Sequence, residues 1–169
     1  MSDYPVRLLK FKDDGLIPNN SLPVIVYTQI AETLNKSEWF EQRFILNGWT
    51  NNWRDIVLSY DHFHSNTHEV LGIGKGQVTL QIGGTNGIQL TVRAGDALII
   101  PAGVGHYSIP QRESYEVVGG YPNGTSWDMC TGAEDDRNEI LQRIRNISLP
   151  TTDPIYGKNG ELLKSWTAQ

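Results

Sequence analysis

Apolar and polar residues alternate along two runs in the middle of the chain, residues 77–82 and residues 88–92. In each run the apolar members fall at every second position, which is the period of side chains on a β-strand. A glycine-rich stretch, residues 83–87, separates the two runs and is typical of a turn. The pattern therefore predicts an antiparallel hairpin at residues 77–92.

Further short strands are predicted after this hairpin. Residues 97–100 form a continuous apolar run, residues 101–105 form a loop, and residues 115–121 are predicted to be the last strand of the core. Many short strands joined by glycine-rich turns are typical of an antiparallel β-barrel or β-sandwich. We therefore expect a mainly β fold.

The N-terminal region is harder to assign. Residues 6–9 and 24–27 are apolar enough to be strands, with a loop at residues 15–23 between them. The second run is also compatible with a helix that begins after Pro23, because proline suits the first turn of a helix. The sequence leaves both alternatives open.

An N-terminal helix is predicted at residues 37–47. Ser37 is its expected N-cap, Phe40 and Phe44 share one face, and Gly48 is placed to end it in the left-handed conformation. Acidic residues in the first turn favour the same start, because they complement the helix dipole. We expect the apolar face to cover the β-core.

A C-terminal helix is predicted from the capping-box spacing of Thr131 and Glu134. Pro150 ends it, and its apolar stripe consists of Ile140, Leu141, Ile144 and Ile147. The tail beyond it contains Trp166. We expect this tail to pack back on the β-core or on a second subunit.

The length and composition fit one domain, residues 1–169, with the core at about residues 55–122 between an N-terminal extension, 1–54, and a C-terminal helix and tail, 123–169. The single Cys130 excludes an internal disulfide framework. No segment has the pattern of a signal peptide, and no apolar run reaches the ~18–20 residues that span a bilayer. We therefore expect a cytoplasmic protein that does not enter a membrane.

The charge distribution argues against a nucleic-acid partner. The formal net charge is −5, and the sequence contains no block of basic residues. A protein that binds phosphate backbones needs a positively charged surface. The remaining expectation is a small-molecule partner.

The candidate chemistry is concentrated in two clusters, residues 62–69 and 101–106, which contain all 4 histidines of the chain. His62 and His64 stand two residues apart, so a strand presents both on one face. Glu69 has the opposite parity, and the polar, turn-prone residues 65–67 are suited to resetting the register. Histidines with a carboxylate are typical ligands of a divalent metal.

The two clusters resemble the paired motifs of the cupin superfamily. The first motif is His62-x-His64-(x4)-Glu69-(x6)-Gly76, and the second is Gly95-(x5)-Pro101-x-Gly103-(x2)-His106. The resemblance implies an antiparallel β-barrel of the jelly-roll type, with one divalent metal inside. It also implies the metal ligands, which would be His62, His64, Glu69 and His106.

A wider set of segments resembles the bacterial YjlB-type single-domain cupins. The segments are Trp49-Thr50-Asn51-Asn52-Trp53, 62–65, 68–72, 101–106, 117–122 and 153–157. This likeness covers most of the chain and implies a homodimer. It implies little about activity.

Two further residues are candidate catalytic groups. Tyr60 shares the parity of His62 and is a candidate acid or hydrogen-bond donor. His68 is a candidate ligand or proton-transfer group, with a partner that orients Glu69 as the alternative. Other residues that could rim a pocket are Trp49, Trp53 and Arg54.

The glycines at positions 72, 74 and 76 superficially resemble a phosphate-binding loop. Such a loop needs a helix directly after it, and no helix start follows here. We expect these glycines to serve curvature and turns instead. Cys130 has no sequence signature of a nucleophile and is interpreted as an incidental thiol.

The ligand set is compatible with iron, manganese, nickel, zinc or copper. Four protein ligands leave two positions open on an octahedral metal, which is typical of a catalytic site. We therefore expect an enzyme that acts on a small, oxygen-bearing organic molecule, either a dioxygenase or an isomerase or decarboxylase. The alternative is a non-catalytic, metal-dependent protein that binds or senses a small molecule. A structural fold without a metal is the third interpretation.

Overall fold

The computed structural model of the chain describes residues 5–168 and is mainly β. Within those residues the strands are β1 (Val6–Phe11), β2 (Asn20–Tyr27), β3 (Trp49–Asp55), β4 (Glu69–Lys75), β5 (Gln77–Ile82), β6 (Ile88–Arg93), β7 (Ala97–Ile100), β8 (His106–Ser108) and β9 (Glu116–Pro122). The helices are α1 (Lys36–Leu46), α2 (Arg137–Arg145) and α3 (Glu161–Ser165). No helix in this part of the chain is long and apolar enough to cross a membrane.

The strands form two antiparallel sheets. The larger sheet has the order β1-β2-β7-β4-β9-β3, and the smaller has the order β6-β5-β8. The predicted hairpin is confirmed, because β5 and β6 pair in register with Val78 opposite Val92 and Leu80 opposite Leu90. The N-terminal runs are both strands, so the alternative of a helix after Pro23 is wrong.

The expected closed barrel is not formed by the described residues, which make a β-sandwich instead. The physical reason lies at the free edge of β8. There the irregular segment 56–64 makes separate contacts in place of a continuous ladder: the Ser108 amide donates to the Leu58 carbonyl (2.9 Å) and the His106 amide to the His62 carbonyl (3.0 Å). The sheets stay unjoined at that edge.

The large sheet is buried on both faces. On β4, Val70 packs on the outer side with α1 and the C-terminal tail, whereas Leu71 and Ile73 face the space between the sheets. The same alternation explains the continuous apolar run of β7, because a strand covered on both sides reads as uninterrupted hydrophobic sequence. The Trp166 ring belongs to the outer cluster, so the C-terminal tail packs on this sheet.

The first helix begins with a different cap from the one expected. Asn35 is the N-cap, and its side chain accepts a hydrogen bond from the Glu38 amide. The hydroxyl of Ser37 is buried and donates to the Glu116 carboxylate at 2.7 Å, so it is not available as a cap. The local Asn35 cap therefore marks the helix start, and Ser37 lies inside the first turn.

The second helix begins later than the capping-box spacing indicated. Glu134 accepts hydrogen bonds from the amides of Thr131 and Gly132, but these close a turn ahead of α2, whose N-cap is Asp136. Two residues of the predicted apolar stripe, Ile140 and Ile144, are buried. They pack in a small cluster with Phe63, so α2 covers the back of the first histidine cluster.

Gly72 and Gly74 make room for α1 rather than providing curvature. A Cβ at Gly72 would overlap ring carbons of Phe40, and one at Gly74 would overlap the side chain of Ser37. Gly76, with φ of +68°, does form a turn, between β4 and β5. The close approach of helix and strand therefore requires glycine at two positions.

Gly72→Ala tests this packing. We expect the substitution to lower the free energy of unfolding by about 1–3 kcal/mol, the usual cost of overpacking a core, as measured by urea denaturation. Phe40→Ala removes the Cγ and Cδ carbons that the new methyl group meets, so the cost of Gly72→Ala should shrink in the Phe40→Ala background. If the two substitutions changed the free energy of unfolding by strictly additive amounts, the close contact between positions 72 and 40 would be contradicted.

Candidate metal centre

Three histidines come together between the two sheets. His62 and His64 lie in the irregular segment before β4, and His106 begins β8. Their ring nitrogens lie within 4.8 Å of one another, and all three side chains are buried. The cluster depends on the tertiary fold, because the backbone bridge between His62 and His106 joins residues from the two sequence clusters.

Each of the three rings is oriented by a backbone carbonyl. The Nδ1 atoms of His62, His64 and His106 lie 3.0, 2.6 and 3.0 Å from carbonyl oxygens, which belong to Tyr60, Asp128 and Val104, respectively. A carbonyl oxygen only accepts, so each Nδ1 donates its proton there, and the Nε2 atoms of His64 and His106 face the Glu69 carboxylate inside the cluster. Metal-binding histidines are typically fixed in this way.

Glu69 completes the cluster as its carboxylate. The chain bends at Ser65 and Asn66, and Glu69 is the first residue of β4. Its Oε1 lies 3.0 Å from His106 Nε2, and its Oε2 lies 3.4 Å from His64 Nε2. The structure thus places the Glu69 carboxylate next to two of the histidines.

The electrostatics of the cluster favour a cation. Burial raises the pKa of Glu69, but His64 and His106 outweigh it and hold that pKa well below its usual range. Burial lowers the pKa of His62 to about 3, and the nearby His106 acts in the same direction. At neutral pH Glu69 is therefore ionised and His62 is neutral, which are the states that bind a metal. Burial lowers the pKa of His64, but Glu69 and the Asp128 carbonyl outweigh it and raise that pKa, so a metal would displace a proton there.

These residues fit a divalent metal by their chemistry. Three imidazole rings held by backbone carbonyls and one ionised carboxylate converge in a buried position. Nitrogen and oxygen donors of this kind suit the later first-row divalent metals, and the set does not distinguish among them. The four residues that would hold the metal are His62, His64, Glu69 and His106.

Tyr121 is a member of the site that the sequence did not indicate. Its hydroxyl donates to Glu69 Oε2 at 2.7 Å and accepts from the Trp53 indole at 2.8 Å. Burial and the nearby Glu69 raise the pKa of Tyr121, so the hydroxyl stays protonated. The pairing of β9 with β4 brings this side chain to Glu69, and no local sequence signal reports that pairing.

The two candidate catalytic residues lie outside the cluster. His68 packs against Trp166, with ring centroids 4.7 Å apart, and its Nδ1 accepts from the Ala102 amide. Trp166 and Val70 belong to the outer cluster, so His68 sits on the opposite side of the large sheet from Glu69. Tyr60 is 49% exposed and contributes its carbonyl, rather than its hydroxyl, to His62.

The cluster lies at the base of a pocket of about 340 Å³. Of the three residues predicted to rim a pocket, Trp53 does so, whereas Trp49 is buried in the outer cluster and Arg54 pairs with Glu41. Two residues of the wall, Trp127 and Met129, were not anticipated because they lie in an irregular segment. The lining residues are Trp53, Asp55, Ile56, Val57, Leu58, His62, His64, Glu69, Leu71, His106, Tyr121, Trp127 and Met129.

The segment that carries Trp127 and Met129 is tied to the histidine segment. The Ser65 amide donates to Asp128 Oδ1 at 2.6 Å, and the Ser65 hydroxyl also bonds the Asp128 carboxylate. Arg143 from α2 donates to the same hydroxyl at 2.8 Å. These contacts hold the Asp128 carbonyl in place against His64.

Two antiparallel sheets with a buried histidine cluster in a pocket between them are the fold and site of a cupin. The chain is 40% identical over 157 residues to the uncharacterized protein YjlB of Bacillus subtilis (strain 168), a match that covers 92% of this chain and 93% of that protein. The chain therefore belongs to the YjlB family of cupins. No family model matches the sequence.

Similarity to solved structures is more distant. Acireductone dioxygenase from Bacillus anthracis is 18% identical, with a TM-score of 0.41 and coverage of 72% of this chain and 80% of that chain. A 3,4-ketoisomerase from Helicobacter canadensis is 13% identical, with a TM-score of 0.42 and coverage of 86% and 100%. The chain spans only 27–47% of the length of several larger matched structures. Likeness at this distance does not assign an activity.

His64→Ala should abolish tight metal binding, because it removes one donor of the set. Isothermal titration of zinc into chelator-treated protein measures the effect. His68→Gln is the matched control, since His68 is equally buried nearby but faces away, and it should bind zinc as the unaltered protein does. Equal losses in the two variants would contradict the assignment of donors.

Asp128→Ala tests the support of His64. Loss of the carboxylate frees the segment whose carbonyl orients that ring, and we expect zinc affinity to fall by about 10–100-fold. Asp55→Ala is the control, because Asp55 lines the pocket and its carboxylate accepts from the adjacent Ile56 amide. If Asp128→Ala left zinc affinity within twofold of that control, the carbonyl would not depend on the carboxylate.

Proposed function

We propose that this protein binds one divalent metal with His62, His64, Glu69 and His106, and that it is an enzyme acting on a small, oxygen-bearing organic molecule. The observation that carries the proposal is the position of the donors, which are buried yet form the base of an open pocket. A structural metal site is normally enclosed by its ligands on all sides. A pocket above the donors leaves room for a molecule to reach them.

The protein's own residues have distinct parts in this proposal. The three histidines and Glu69 hold the metal, and Tyr121 keeps the Glu69 carboxylate in position through its hydrogen bond. The apolar wall limits water around the donors, which strengthens electrostatic interactions there. A bound divalent metal would supply Lewis acidity and, if redox-active, electron transfer.

The inventory of titratable groups favours oxidation over isomerisation. Among the described residues that line the pocket, only Asp55 and Tyr121 carry a titratable group besides the four donors. The Tyr121 hydroxyl donates its proton to a hydrogen bond with Glu69, and Asp55 is exposed at the mouth of the pocket. Isomerisation needs a positioned base to move a proton, so we favour a dioxygenase with iron.

The same inventory supports a second candidate, a non-catalytic protein that binds or senses a small molecule at the metal. Neither His68 nor Tyr60 lines the described pocket, so neither supplies a proton-transfer group beside the donors. A binding protein needs no such group. Tight retention of an unchanged ligand through purification would favour this candidate.

Elemental analysis of untagged protein, purified without chelators or immobilised metal, is the first experiment. We expect one metal per chain, and its loss in His64→Ala. Iron would be followed by oxygen-consumption assays with enols, diols and keto acids, in which the unaltered protein should be active and His64→Ala inactive. Protein that neither retains nor binds any of the five candidate metals would overturn the proposal.

The homodimer stays a prediction, which analytical ultracentrifugation checks.

A further inference from the structure

Apolar side chains surround the mouth of the pocket and are exposed to water. Ile56 is 57% exposed, Leu58 37%, Trp127 39% and Met129 43%, and all four line the pocket. Scattered apolar residues on a surface need no explanation, but a group of them around a concave polar site marks a place where something binds. These four residues, called the rim below, therefore indicate what kind of ligand the pocket binds.

The rim also lacks positive charge. None of the pocket-lining residues that the structure describes is a lysine or an arginine, and the charged residue at the mouth is Asp55. A ligand with several negative charges would lose its hydration without gaining a cationic partner beyond the metal. Phosphorylated and polycarboxylic molecules are disfavoured by this lining.

The apolar wall is built as a rigid surface. Trp127 stacks on Tyr121 with ring centroids 4.7 Å apart and planes 17° from parallel. On either side of Trp127, the Ser126 carbonyl accepts from the Asn66 side chain (2.8 Å), and the Asp128 amide donates to that side chain (3.0 Å). A fixed aromatic surface binds flat apolar groups at little cost in conformational entropy.

We propose, on the basis of the metal site described under Proposed function, that the pocket selects a molecule with a flat apolar body and an uncharged or singly charged oxygen-bearing head. The head reaches the metal at the base, and the body lies against Trp127 and Met129. Compact polyanions are excluded. This assigns the chemical class of the ligand and makes Trp127 a determinant of specificity.

Cobalt(II)-loaded protein tests the proposal, because its visible spectrum reports ligands that reach the metal. Three hydroxamates share one chelating head and differ in the body: acetohydroxamate, benzohydroxamate and 4-carboxybenzohydroxamate. We expect benzohydroxamate to bind about tenfold more tightly than acetohydroxamate, from the apolar area that the ring buries. The added carboxylate should reverse much of that gain.

Trp127→Ala should lower the affinity for benzohydroxamate by about three- to tenfold and leave the affinity for acetohydroxamate unchanged. Only the phenyl ring of benzohydroxamate is expected to contact the Trp127 indole. Trp39→Ala is the matched control, since Trp39 is packed under Arg43 on α1 and does not line the pocket. The cobalt spectrum before titration shows that each variant keeps its metal site.

The possible failures are distinguishable. Protein that does not bind cobalt would overturn the metal site itself, and this inference with it. Cobalt-loaded protein that binds the three hydroxamates with similar affinity would leave the metal site standing and overturn the ligand class. If Trp127→Ala changed the sedimentation coefficient rather than the affinity for benzohydroxamate, the rim would be an interface between copies of the chain, and the inference would be wrong.

Discussion

The orientation of three imidazole rings by backbone carbonyls is the constraint on which the pocket depends. The carbonyls come from three separate parts of the chain: the irregular segment before β4, the loop before β8 and the segment after β9. A ring nitrogen points into the cluster only when all these segments are in place. The site is therefore a product of the whole sandwich, and loosening any one segment would turn a donor away.

The carboxylate among these rings is stable because of its neighbours. A buried carboxylate without partners is costly and becomes protonated. Glu69 instead faces His64 and His106 and accepts a hydrogen bond from Tyr121. The hydroxyl of Tyr121 is in turn held by Trp53 at the pocket wall. The charge at the base of the pocket is thus linked by hydrogen bonds to its mouth.

The sequence predicted those features that depend on local spacing. The alternation at residues 77–92 indicated the hairpin, and the polar run before Glu69 indicated the change of register. Features that depend on long-range pairing could not be predicted. Tyr121 reaches Glu69 through the pairing of β9 with β4. The expected Ser37 cap was wrong for a local reason instead, because Asn35, two residues earlier, caps the Glu38 amide. His68 lies away from the donors because the bend that turns Glu69 inward turns its neighbour outward.

The segment around Asp128 both orients a histidine of the candidate metal centre and forms part of the pocket wall. The Asp128 carbonyl holds a histidine ring, while the residues on either side of it, Trp127 and Met129, form the wall of the pocket. An insertion or deletion in this segment would shift both together. A change of the wall that keeps the His64 ring in place is therefore expected to be an exchange of the side chains at positions 127 and 129 on an unchanged backbone. Relatives that prefer different molecules should therefore keep the length of this segment while its two wall residues vary.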